Sequence, residues 1–352
     1  ALKKKTQGET IELANILNRV GRILGALGFY DKQFAIYEKV LAIRKNEFDE
    51  DNIEIATSYN DLGNASYNKG DYEKASEFYK KVLAIDKEKL NKKDLYIAHS
   101  YTGLAAVYVE KEDYEKAIVF LEKALVLEEE KYGKEDLNVA STYNNLGMAY
   151  SHKGNYEKAI MILKKAILIY NKKILKNSPD IAYTYFNLGN AYAAQENYKK
   201  AIRLHKKAII IRKKKLGAYH PEVAQSYNSI GALYFDKGDY DQATKFIKKA
   251  ITIYKKMKKG HPYLLSFYNH LGIIYSTKGD YVKAIKFLRK GFLVIKKNLE
   301  ELYINIAYPY IITFYNNLMN SYTINEAIKL LQETLTIKKK TLEKLYLESN
   351  QS

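Results

Sequence analysis

The stretch Tyr143-Asn-Asn-Leu-Gly-Met-Ala-Tyr150, followed by Gly154-Asn155-Tyr156 and Ala159, is one copy of a pattern that fills the chain. It returns as Tyr227-Asn-Ser-Ile-Gly231 with Tyr234, Gly238-Asp239-Tyr240 and Ala243. It returns again as Tyr268-Asn-His-Leu-Gly272 with Tyr275, Gly279-Asp280-Tyr281 and Ala284. Gly63, Ala105, Gly147, Gly189 and Gly231 are each 42 residues apart. Counting outward reaches Gly21 before them, and Gly272 and Met319 after them, at late steps of 41 and 47 residues. A fixed period of this length means an array of supersecondary units rather than two globular domains.

Each unit predicts two helices. Helix A has a small residue at its middle and large apolar residues three or four positions to either side. Its start is expected eleven residues earlier, at Thr10, Asn52, Asp94, Asp136, Ser178, His220, His261 and Tyr308. The first five can accept a hydrogen bond from a free N–H of the first turn. The last three cap less well. All four prolines, Pro179, Pro221, Pro262 and Pro309, fall one residue after such a cap, the slot where a missing N–H costs nothing. Helix A is expected to stop at Gly28, Gly70, Gly154, Gly238 and Gly279, with Glu112 and Glu196 in place of glycine in two units. Asp71, Asp113, Asn155, Asn197, Asp239 and Asp280 follow and cap helix B. A helix pair cannot bury its apolar faces alone. Stacking does so, and predicts an all-α fold, an α-solenoid.

The unit resembles the tetratricopeptide repeat. The family pattern is matched in the fourth unit by Tyr143, Leu146, Gly147, Tyr150, Ala159, Leu163 and Ala166. The 42-residue form, with Leu216-Gly217 and His220-Pro221-Glu222-Val223-Ala224 between units, resembles the longer repeat of kinesin light chains. Gln33 at an Ala position, Ser66 at a Tyr position and a shortened last unit depart from the pattern. The resemblance implies a single right-handed superhelix of eight units, at about 10–51, 52–93, 94–135, 136–177, 178–219, 220–260, 261–307 and 308–346. It also implies a concave groove lined by A helices and a convex outside of B helices.

Composition limits the alternatives. The longest apolar runs are far short of a membrane span, no signal-peptide pattern is present, and there is no Cys for a disulfide or thiolate site. These features suit a cytoplasmic protein. A secreted effector is a second possibility, and the non-Met start leaves open a fragment of a larger protein. The six histidines show no metal-ligand spacing, and the glycines form no phosphate-cradling loop. No enzyme, metal or cofactor is therefore expected within the chain. Most of the 34 tyrosines are read as core because they share repeated slots, such as Tyr59, Tyr101, Tyr143, Tyr185, Tyr227, Tyr268 and Tyr315. The net charge of +18 points to acidic partners. Its lysines, as in Lys80-Lys81, Lys164-Lys165, Lys206-Lys207 and Lys248-Lys249, fall on helix B and read mainly as a solvated outer face.

The groove positions implied by the family hold only Arg19 and Arg22 as basic residues and are rich in asparagine. That excludes the Lys/Arg clamp by which some members grip a terminal carboxylate. Uncharged amides suit the backbone of an extended segment. The expected partner is a peptide or protein segment, with contacts from Asn60, Asn64, Asn144, Asn145, Asn187, Asn190, Asn228 and Asn269. Tyr183, Phe186 and Phe235 could receive apolar side chains and Asp236 a basic one. A competing role for the asparagines is to pin adjacent repeats together. The functional alternatives are nucleic-acid or anionic-surface binding through the convex lysines, and a regulatory arm of a larger enzyme or signalling protein.

Overall fold

The computed structural model describes residues 2–85, 95–173, 178–256 and 263–300. Among them are fourteen α-helices and no strand. The A helices are α1 (Leu2–Ala26), α3 (Ile53–Lys69), α5 (Leu95–Glu110), α7 (Leu137–His152), α9 (Pro179–Ala194), α11 (Pro221–Asp236) and α13 (Tyr263–Thr277). The B helices are α2 (Tyr30–Glu47), α4 (Tyr72–Ile85), α6 (Tyr114–Tyr132), α8 (Tyr156–Lys172), α10 (Tyr198–Leu216), α12 (Tyr240–Lys256) and α14 (Tyr281–Glu300). The expected eighth pair, with Pro309, Tyr315 and Met319, lies outside the described residues, as do Asp94, His261 and Pro262.

The chain forms two compact units, Ala1–Lys176 and Asn177–Ser352. In the first, α1 to α8 each pack on the next helix. In the second, α9 to α14 do the same. A helices also touch the next A helix, α3 on α5 and α11 on α13. This lays the A helices side by side along one face of each unit.

Local chemistry explains the helix ends. Asn52, Asp136 and Ser178 accept from N–H groups of the first turn of their A helices. His220, expected to be a weak cap, fills the same role through Nδ1, which accepts from the Glu222 N–H at 3.3 Å. Asp71, Asp113, Asn155, Asn197, Asp239 and Asp280 each accept from the N–H three residues on, at 3.1 to 3.4 Å. Gly70, Gly154, Gly238 and Gly279 have φ between 76° and 84°, and Glu112 and Glu196 take the same left-handed turn at φ 59°. Thr10 departs from expectation. It lies inside α1, and its hydroxyl donates to Glu47 at 3.0 Å.

The core is assembled from the repeated slots. Ala75, Ala117, Ala159, Ala201, Ala243 and Ala284 are fully buried, and so are Val82, Ala124, Ala166, Ala208 and Ala250. The central glycine is required by close approach: a Cβ on Gly147 would lie 2.4 Å from Leu163. Two buried arginines tie helix B to the following helix A. Arg44 donates to the Glu54 carbonyl at 3.1 Å and to Ser58 Oγ at 2.9 Å, and pairs with the Glu54 carboxylate at 2.7 Å. Arg212 repeats this with Glu222 and Ser226, at 2.9 Å to the carbonyl and 2.6 Å to the hydroxyl. Both are 168 residues, four repeats, apart. At the first A helix, Leu13, Ile16 and Ile23 are about half exposed or more, whereas their counterparts Ile55, Ser58 and Ala65 are buried beneath the preceding B helix.

Candidate functional site

The face lined by the A helices carries the predicted amides, and the structure divides them into two groups. In the first unit Asn60 is 7% exposed. Its Nδ2 donates to the Tyr96 carbonyl at 3.0 Å, and its Oδ1 accepts from the Ser100 hydroxyl at 2.7 Å. Both ends of this amide are used by the next A helix, which is the pinning role. Asn18 makes a similar bridge, donating to the Asp61 carboxylate at 2.5 Å. Asn144 is 4% exposed and donates to Asn145 Oδ1 at 3.4 Å. Asn64 is exposed and accepts from the Tyr79 hydroxyl at 2.8 Å.

In the second unit Asn187 and Asn269 are buried, at 7% and 4% exposed. Asn228 is half-buried, with Oδ1 2.8 Å from Nδ1 of His270. An amide oxygen only accepts, so His270 donates from Nδ1–H; burial pushes the His270 pKa down. Asn190 is exposed. Phe186 is buried, with the His205 ring 5.0 Å away edge-on and the Arg212 guanidinium 4.8 Å from its centroid. Tyr183 is 41% exposed, and Phe235 packs tilted against Tyr240 at 5.5 Å. Asp236 is exposed, though partial desolvation still raises its carboxyl pKa.

Phe186, Asn190 and Asn228 come together around an open cavity of ≈ 440 Å³ on this face. Tyr183, Asn187, Phe235 and Asp236 do not line it. Gln225, Ser229 and Ser266, at groove positions of the next two A helices, complete its polar wall. Sequence reasoning missed Glu222, Tyr254, Tyr263 and Phe267, which close the cavity at the start of α11 and α13 and from α12. Tyr254 is one repeat after Arg212 in the same slot, and that periodicity was the available signal. The cavity therefore offers neutral donors and acceptors beside aromatic surface, with Glu222 as its one charged lining residue.

The opposite surface is different. Lys81, Lys123, Lys165, Lys207 and Lys249 lie over the rings of Tyr59, Tyr101, Tyr143, Tyr185 and Tyr227, at 5.1 to 5.6 Å from the centroids. These tyrosines are half-buried rather than fully core. Among the described residues no group of His, Asp and Glu could hold a metal ion. No described helix is long and apolar enough to cross a membrane.

The tetratricopeptide repeat family profile matches residues 12–88, 96–172 and 180–256, and a second profile of the same name matches 265–298. No match to a curated protein is found. Solved structures share the fold. A putative kinesin light chain from Podosopora anserina with nearly identical TPR-like repeats superposes with TM-score 0.50 and 20% identity, over 59% of this chain and 97% of that one. A Rap protein complexed with Competence and Sporulation Factor gives TM-score 0.58 and 16% identity, over 95% and 99%. A signal transduction ATPase of Pyrococcus horikoshii with a tetratricopeptide repeat sensor gives TM-score 0.62 and 17% identity, over 99% of this chain and 50% of that one.

Proposed function

This chain belongs to the tetratricopeptide repeat family, and on that premise we propose that it is a non-catalytic scaffold holding an extended peptide or protein segment against its A helices. The supporting observation is the cavity on the α9–α11–α13 face. Asn190, Asn228, Gln225, Ser229 and Ser266 present uncharged hydrogen-bonding groups there, next to Phe186 and Phe267. A peptide backbone has N–H and C=O groups at regular intervals and needs both donors and acceptors. Amide and hydroxyl side chains supply both, and the aromatic wall receives one apolar side chain. Asn64 and Asn145 are the equivalent accessible amides of the first unit. Asn60 serves beneath them, fixing the spacing of the A helices α3 and α5.

A random peptide library displayed on phage tests this. Selected peptides are expected to bind in extended form. Each hydrogen bond contributes about 1 kcal/mol net, so Asn190→Ala weakens binding a few-fold. Joint replacement of Asn190, Gln225 and Ser229 by alanine weakens it roughly a hundredfold, with unchanged helicity. Replacing Lys206, Lys207, Lys248 and Lys249 by glutamine leaves it unchanged. Selected peptides that tolerate the triple change but are lost with the lysine variant refute the assignment.

A further inference from the structure

A second cavity, of ≈ 560 Å³, opens between α10, the start of α11 and α12, away from the amide-lined one. Its charged lining is Lys213, Lys245, Lys248 and Lys249, with no carboxylate among its walls. None of these four lysines forms an ion pair with a described residue. Lys213 and Lys249 instead both sit over the Tyr227 ring, at 5.2 and 5.4 Å from its centroid. On the rim, Tyr219 accepts from a fifth lysine, Lys256, at 2.6 Å, and this bond lowers the phenol's pKa. The Tyr219 hydroxyl keeps its own hydrogen to donate.

The repeats supply an internal control. Four repeats earlier the same positions are Lys45, Glu50, Asp51, Glu77, Lys80 and Lys81, where Glu50 lies 3.8 Å from Lys45. Two repeats earlier they are Glu129, Lys134, Glu135, Met161, Lys164 and Lys165, and Glu135 pairs with Lys172. In those copies carboxylates offset the lysines. In the later copy Ala218, Tyr219, Lys245 and Lys213 stand where those acids were, and no carboxylate lines the cavity. Like charges held close repel, and a bound anion relieves that repulsion.

We propose that this cavity is a binding site for a compact oligophosphate group. Lysine ammoniums bind phosphate as point charges and need no fixed fork geometry. The Tyr227 ring already carries two ammoniums, so base stacking of a single-stranded nucleic acid is disfavoured there. Four lysines converge on this one cavity, which suits a compact anion that several ammoniums can reach at once. This site is independent of the peptide-binding face, and either can fail alone.

Calorimetric titration with inorganic pyrophosphate at about 0.15 M salt tests it. Saturable one-to-one binding is expected. Ala218→Glu, which restores the carboxylate of the earlier copy without removing a lysine, is expected to weaken it by roughly tenfold or more. Lys245→Glu acts in the same direction, and a Lys199→Gln, Lys200→Gln control binds as the parent does. Thermal melts verify that each variant is folded. No saturable binding, or equal binding by Ala218→Glu, Lys245→Glu and the parent, overturns the proposal. A polyglutamate peptide binding as tightly as pyrophosphate overturns the phosphate assignment. A thymidine oligonucleotide that binds more tightly and depends on lysines of other repeats overturns it in favour of nucleic acid.

Discussion

His205 occupies the slot that holds Leu121, Leu163, Ile247 and Leu288 in other repeats. It is 1% exposed, its Nδ1 has no partner, and burial drives its pKa down to about 3. The unfolded chain binds this proton below about pH 6.5 and the folded chain does not. Its contribution is therefore complete above that pH and is lost as pH falls towards 3, at up to about 1.4 kcal/mol per unit. His205→Leu is expected to shrink the stability difference between pH 7 and pH 5, measured by urea unfolding; an unchanged difference excludes this account. Glu128 behaves oppositely. Burial raises its pKa, and one of its oxygens has no partner. Stability is lost as pH rises through the raised value, so Glu128→Gln stabilises at pH 7 and the gain vanishes below the usual carboxylate range. A gain that persists in acid rejects that reasoning. At this scale the sequence revealed which slot each residue fills but not who meets it. Asn60 and Asn190 both read as groove amides; Asn60 is held between A helices and Asn190 is exposed. Periodicity assigns a face, and distance to the next helix decides whether that face is open.

The elements were the most legible level. Caps, stop signals and the proline slot are local chemistry, so Asp136, Asn155, Ser178 and Pro221 marked boundaries that the helices keep. The start of α1 was not legible, because a capping residue inside a helix reads the same as a true cap. Glu112 and Glu196 yield a prediction at this scale. Each holds φ 59°, where glycine sits in the other repeats, and an L side chain there is strained by about 1–2 kcal/mol. Glu196→Gly is expected to stabilise the protein by about 1 kcal/mol, the flexibility of glycine in the unfolded chain offsetting part of the relief. A lower midpoint in denaturant would contradict this. Asn197 keeps its cap on α10 in either variant.

For the molecule as a whole, the repeat period carried the all-α solenoid and the family, and the two candidate surfaces follow from how copies differ. The peptide-binding face departs from the pattern at Phe186, where other repeats place Asn or Thr. The oligophosphate cavity differs from the copy four repeats earlier at Ala218 and Lys245, where that copy has Glu50 and Glu77. Ligand chemistry lives in such deviations, since the common pattern only builds the stack. Neighbour-to-neighbour packing has a further consequence, for the speed of folding. The hydrogen bonds joining successive A helices span 36 to 43 residues. That separation stays the same however many repeats are added. No ends of a long chain must find each other, so the entropy of closing loops is set by one repeat. Relative contact order falls as the array lengthens, and with it the topological barrier that slows proteins built on distant pairings. Growth by duplication therefore adds binding surface at little cost in folding time.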